Sequence, residues 1–128
     1  MFGLFKRNQP ENTETEIDEE DSADAVAAMF IKAKCEAGNL VVGLMLDPAE
    51  DRATQMAHYK SIRNECMARV EEIEDEFYRG FALNHIIAMC VAAGDISVAR
   101  ALLVAVQDDF LRERIFESSP TLRNYIGS

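Results

Sequence analysis

The chain has 128 residues, 13 of them basic and 23 acidic, for a formal charge of −10. That length suits one domain rather than two, and an apolar share of 48% excludes a chain disordered throughout. The acidic balance argues against direct nucleic-acid binding, because phosphate contacts need a basic surface, and no uncharged apolar stretch approaches the length of a membrane span.

Charge is unevenly spread. Residues 1–24 hold two basic and eight acidic side chains, a net of −6, whereas residues 25–128 carry only −4. Between Asn8 and Asp21 there is one large apolar side chain, Ile17, together with Pro10. Such a stretch cannot bury enough surface to offset its ordering entropy. Residues 1–22 therefore read as a disordered acidic tail ahead of a single helical domain over 23–128. The tail opens Met1-Phe2-Gly3-Leu4-Phe5-Lys6-Arg7. Phe2, Leu4 and Phe5, followed by two cations, are candidates for docking in a partner's groove or for weak contact with a membrane surface, against the plainer reading of a frayed end. The charges follow the apolar residues and the apolar run is short. It is not a secretory signal, and the expected location is the cytoplasm.

The rest predicts an all-α fold, a compact helical-hairpin bundle of about five helices. Asp21 or Ser22 is the expected N-cap of the first helix. Ala25, Val26, Met29, Phe30, Ala33 and Ala37 recur on it at the spacing of one apolar face, and Gly38-Asn39 is its expected end. Leu40 to Leu46, apolar apart from Gly43, reads as a short buried helix. Asp47-Pro48-Ala49-Glu50 carries the clearest start signal, with aspartate at the N-cap, proline at the first helical position and glutamate at N3. From there Tyr59, Ile62, Cys66, Val70, Ile73 and Phe77 step by three and four residues. That near-heptad stripe predicts one long helix over about 48–77, with its break at Gly80. Beyond it, Phe81, Leu83, Ile86, Ile87, Met89, Cys90 and Val91 surround most of an axis, the mark of a central helix. Asp95 is the expected cap of a fourth helix and Asp108 or Asp109 that of a fifth, which Pro120 stops.

Comparing the chain with itself at an offset of 56 places Phe30-Ile31 on Ile86-Ile87, and Ala37-Gly38-Asn39-Leu40 on Ala93-Gly94-Asp95-Ile96. Glycine for a left-handed C-cap, then Asn or Asp to cap the next helix, makes a helical hairpin. In the second copy the small Ala99 stands five residues after Gly94 and the large Leu103 nine after it. Residues 81–106 thereby resemble a hairpin of the tetratricopeptide type. Ile87 stands where that family has a small residue, and Leu111 where proline would end the repeat. The resemblance implies helical hairpins and no more than that.

Residues able to carry chemistry are few. His58 and His85 belong to no Glu-x-x-His or His-x-x-x-His pair. The run Glu71-Glu72-Ile73-Glu74-Asp75-Glu76, flanked by Arg69 and Arg79, reads as a solvated helix face rather than a cation site. Cys35, Cys66 and Cys90 lack a CxxC pair and fall on apolar faces, where cysteine behaves as a small hydrophobe. No Gly-x-Ser-x-Gly elbow or Gly-rich phosphate loop occurs. No catalytic residue, metal or cofactor is expected. The expected function is a small cytosolic protein–protein interaction module (adaptor, chaperone or regulator), with self-association through the long stripe also open. Its candidate binding residues are Phe2, Leu4 and Phe5 in the tail and Tyr59, Ile62, Val70, Ile73 and Phe77 on the stripe. The alternative is an acidic inhibitor or nucleic-acid mimic filling the basic cleft of a DNA-handling protein. The small charge of the body weighs against it.

Overall fold

Helix α1 (Glu19–Met45) runs without interruption through Gly38-Asn39, where the sequence predicts an end. This computed structural model describes residues 19–127, with side chains over 22–123; Phe2, Leu4, Phe5 and the rest of the acidic segment before Glu19 lie outside them. Gly38 serves close approach rather than a turn. A Cβ there would overlap Met89 Sδ and stand 3.3 Å from Ile62 Cγ2, so the missing side chain is what lets three helices cross. Continuation past Gly38 also corrects the expected buried helix over 40–46. Val41, Val42 and Met45 are buried on the last turns of α1, while Leu40 and Leu46 face solvent. At its other end α1 starts before Asp21 and Ser22, so neither is its N-cap.

Asp47 and Pro48 form the connection rather than a helix start. The Asp47 carboxylate accepts from the Ala49 amide at 2.9 Å, and α2 (Arg52–Val70) begins four residues later than predicted, under Asp51. The Asp51 carboxylate accepts from the amides of Ala53 and Thr54 and from the Thr54 hydroxyl at 2.7 Å. The Thr54 hydroxyl first, then the two amides, hold that carboxyl below its ordinary range. Helix α2 returns antiparallel to α1. Lys34 pairs with Glu65 at 3.1 Å, the Arg69 guanidinium covers the Phe30 ring at 4.6 Å, and Arg52 donates to the Met45 carbonyl at 3.0 Å.

The single helix expected over 48–77 is two helices. After Val70 the amides of Glu72 and Ile73 donate to the carbonyls of Arg69 and Val70, each at 3.1 Å, tightening the chain into a reversal. Asp75 then caps α3 (Glu76–Ala92), accepting from the Tyr78 amide at 3.0 Å. Its own amide donates to the Asp24 carboxylate at 2.9 Å, pinning the reversal to the first turns of α1. The physical reason for the break is electrostatic as well as steric. A run of carboxylates is unfavourable at the negative C-terminal end of a helix and favourable at the positive start of the next. Gly80, the expected break, lies inside α3.

Helix α3 runs parallel to α1 and packs on α1, α2 and α4, the central place its all-round apolar surface predicts. It ends as a left-handed cap. Gly94 has φ +78°, and the Asp95 amide donates back to the Cys90 carbonyl at 2.8 Å. This turn and α4 (Ile96–Val104) make the hairpin expected over 81–106, with Ala99 fully buried in it. Helix α5 (Asp109–Ser118) is capped by Asp108, and Pro120 opens α6 (Pro120–Gly127) rather than only ending α5. The Leu122 side chain closes the core beside α4, and Arg123 lies over the Phe116 ring at 4.4 Å. The described residues thus form an all-α bundle of six helices with no strand, and no charged side chain is buried among them.

Candidate functional site

Four of the stripe residues read as a binding face are core. Tyr59, Ile62, Val70 and Ile73 are each at most 5% exposed, because the stripe on α2 is covered by α1 and α3. The stripe therefore offers no open surface. Phe77 is different. The reversal at 71–75 puts it on the first turn of α3, 73% exposed.

Phe77 lies at the meeting point of three hollows. One, of about 310 Å³, lies between α1 and α3 and is lined by Ala25, Ala28, Met29, Phe77, Tyr78 and Phe81. A second, of about 340 Å³, opens on the other side toward α5, where Phe81, Phe110 and Leu111 line it with Asn84 and Arg114. The third runs under the α4–α5 connection, past Gly80, Leu83 and Val106. Gly80 contributes here by being small, since a Cβ on it would stand 2.9 Å from Leu111 Cδ2. Phe110 is 71% exposed and Met29 56%. Together they make an aromatic groove at one end of the bundle. Met29 and Phe81 are spaced as helix-core residues in the sequence, and Phe110 follows a cap. No local signal distinguishes them from buried neighbours, because what exposes them is how α1, α3 and α5 meet.

Acidic groups gather at the same end. Glu71, Glu72, Glu74, Asp75 and Glu76 precede Phe77 directly, and Asp108 and Asp109 begin α5. Arg69 pairs with Glu72 at 3.5 Å and Arg112 with Asp109 at 2.8 Å. Arg79 and Arg114 line the hollows together with Glu76 and Asp108, so the lining itself is balanced in charge and the acidic excess lies in the flanking run at 71–75.

Elsewhere the chemistry-bearing residues are absorbed into structure. Cys35, Cys66 and Cys90 are buried free thiols, one from each of α1, α2 and α3. Burial first, then neighbouring charge, pushes the Cys90 thiol up to about 11, and a hydrogen bond with Cys66 together with burial raises Cys35 further. Thiolates of Cys35 and Cys90 are therefore scarce at neutral pH, whereas the hydrogen bond with Cys35 lowers Cys66 against the opposing effect of its burial. His58 is exposed on α2. His85 lies half-buried with its ring edge-on to Phe81 at 4.9 Å. Among the described residues no three His, Cys, Asp or Glu side chains converge as metal ligands, and no helix is long and apolar enough to cross a membrane.

No protein-family model, curated protein or solved structure matches this chain. The geometry of the groove therefore carries the functional argument by itself.

His85 supplies a pH test of the groove's support. Burial, with the Lys32 ammonium adding to it, lowers the imidazole below its ordinary value, against a smaller opposing pull from Glu36. The folded state thus prefers neutral His85, and the unfolded chain binds the proton first. Stability is fully present above about pH 6.5, the unfolded value, and falls as pH drops from there through the folded value. Thermal midpoints measured between pH 7.5 and 5 are expected to decline in the wild type and to decline less in His85→Gln.

Proposed function

We propose that this chain is a non-catalytic protein–protein interaction module of the cytoplasm, an adaptor, chaperone or regulator, that seats an apolar anchor of a partner protein in the groove around Phe77. One observation carries the reading. Phe77 and Phe110 stand 73% and 71% exposed over adjoining hollows lined by Met29, Phe81 and Leu111. Burying such a side chain is worth about 1.5–3 kcal/mol, and interface energy concentrates on aromatic anchors seated in pockets. Methionine at the edge gives the wall an adaptable, polarizable surface. The formal charge of −10 disfavours phosphate backbones as ligands and favours a partner carrying cations beside its apolar anchor. The α3–α4 hairpin, similar over residues 81–106 to a tetratricopeptide unit, supports the reading only as a helical scaffold.

The test compares capture of partners by the full chain, Phe77→Ala and Phe110→Ala from the source cells, read by mass spectrometry. A hot-spot loss of about 2 kcal/mol or more reduces affinity roughly thirtyfold. Phe77→Ala is expected to lose its stoichiometric partner while keeping stability within about 0.5 kcal/mol, because the side chain is mostly in water. A partner retained by both variants would overturn the groove as the site. A basic DNA-handling protein released by about 0.5 M salt would point instead to an acidic mimic, since that binding is screened Coulomb attraction.

A further inference from the structure

We propose that α1 carries a second interaction surface, an exposed apolar stripe from Val26 to Leu44, on which a second copy of the chain docks antiparallel about a two-fold axis. The inference is independent of the groove around Phe77.

Helix α1 is apolar on two opposite faces. Ala27, Ile31, Cys35, Val42 and Met45 are buried, and through that side α1 packs on α2 and α3. Val26, Met29, Ala33, Ala37, Leu40 and Leu44 step by three and four residues along the other side. A helix on the surface of a bundle normally turns a polar face to water. Here Val26 is 60% exposed, Met29 56%, Leu40 75% and Leu44 40%, and Ala33 and Ala37 are exposed with them. At 1.5 Å per residue the stripe is about 27 Å long. Helix α2 borders it along the edge of Phe30 and Lys34, and α3 along the edge of Ala25, which leaves the crest open.

The order of side chains names the occupant. Read in both directions from a centre near Cys35, the stripe matches itself, Val26 with Leu44, Met29 with Leu40 and Ala33 with Ala37. A two-fold axis at that centre pairs large side chains at both ends and small ones in the middle, where short side chains let helix axes close to about 8 Å. Charge obeys the same symmetry. Lys32 and Glu36 stand one turn apart on a single edge of the stripe, paired within the helix at 2.8 Å with side chains 36% and 62% exposed. Antiparallel packing brings like edges together, so Lys32 of each copy meets Glu36 of the other. A parallel pair would set that edge against Phe30 and Lys34 and lose the exchange.

Area sets the strength. With those exposures each copy offers roughly 600 Å², so about 1,200 Å² leaves water in all, the lower end of specific interfaces. After the cost of association, an area of that size with an apolar crest corresponds to a reversible dimer with a Kd in the micromolar range.

Sedimentation velocity of the full-length chain between about 1 and 200 μM tests this directly, since the transition falls inside that window. The monomer is expected to give way to a dimer as concentration rises. Leu40→Lys and Ala33→Arg are each expected to raise the Kd at least tenfold, because the two-fold counts every substitution twice. Helicity and the urea midpoint should stay unchanged, as both positions are exposed. Lys32→Glu and Glu36→Lys singly are expected to weaken the dimer a few-fold and the double exchange to restore it. A chain that stays monomeric to about 200 μM would overturn the proposal. So would a dimer that ignores Leu40→Lys and Ala33→Arg but is lost in Phe77→Ala, since the copies would then meet through the groove. A double exchange weaker than either single variant would overturn the antiparallel arrangement. None of these outcomes depends on capture of another protein at Phe77, so the two readings fail separately.

Discussion

Gly38→Val is expected to destabilise the fold by about 3 kcal/mol or more, at the upper end of what overpacking a closed core costs. The first added carbon already overlaps Met89 Sδ, and Ile62 Cγ2 is 3.3 Å away on the other side. Met89 cannot relieve the overlap by swinging into solvent without leaving the core, because it is fully buried. Valine adds two further carbons in the same crevice and brings a β-branched side chain into the interior of a 27-residue helix. Gly38→Ala brings the first overlap but recovers about 1 kcal/mol of helix propensity, so its net cost is smaller, about 1 kcal/mol. Urea unfolding reads both. The midpoint should fall in the order wild type, alanine, valine with an unchanged slope. A Gly38→Val midpoint equal to wild type would mean that the three helices do not cross at Gly38. In a Met89→Ala background the alanine penalty is expected to vanish, the signature of two residues competing for one space.

Asp95→Ala is expected to cost about 2–3 kcal/mol, the range for hydrogen bonds to a charged group whose loss strands a buried partner. One carboxylate oxygen of Asp95 accepts from the Tyr59 hydroxyl at 2.7 Å and from Arg63 Nη1 at 2.8 Å. Tyr59 is 1% exposed, so without Asp95 its hydroxyl keeps the desolvation cost and loses the bond. The effect is not loss of a helix cap, since the Asp95 side chain makes no capping hydrogen bond to α4. Two comparisons separate the contributions. Tyr59→Phe removes donor and need together and should cost about 1 kcal/mol, whereas Asp95→Asn keeps an acceptor and loses the charge, falling between. If chemical unfolding placed Asp95→Ala at or below Tyr59→Phe, the carboxylate would not be the clasp that ties α2 to the α3–α4 turn.

The all-helical class was legible because apolar spacing reports a buried face whatever covers it. The same property explains the error at the stripe. Tyr59, Ile62, Cys66 and Val70 follow helical spacing because α2 packs on α1 and α3, and Ile73 continues the pattern by coincidence of a turn that also buries it. Periodicity marks burial, and burial by the chain's own helices looks the same as burial by a partner. The α2–α3 break had a signal in the carboxylates at 71–76, which suit the start of a helix and oppose the end of one. Gly38 and Gly94 show the limit of local reading. Both precede Asn or Asp, yet one turns the chain at φ +78° and the other sits within a helix under Met89. Which role a glycine takes depends on residues 24 and 51 positions away in the chain. The groove was half legible. Phe77 belongs to the stripe, while Met29, Phe81 and Phe110 join it only through the meeting of three helices.

The most direct test of the groove as the docking surface is site-specific photo-crosslinking in the source cells. A benzophenone side chain would replace Phe77, Phe110, Leu40 or Leu46 singly in the full-length protein. All four positions are at least 71% exposed, and the two leucines, Leu40 in the last turns of α1 and Leu46 just beyond it, lie remote from Phe77, so replacement leaves the core intact and the pairs control for each other. Crosslinks from 77 and 110 to one and the same partner protein, with none to it from 40 or 46, are the predicted result. Adducts from 40 or 46 with positions 77 and 110 silent would contradict it and move the interaction surface to the opposite end of the bundle.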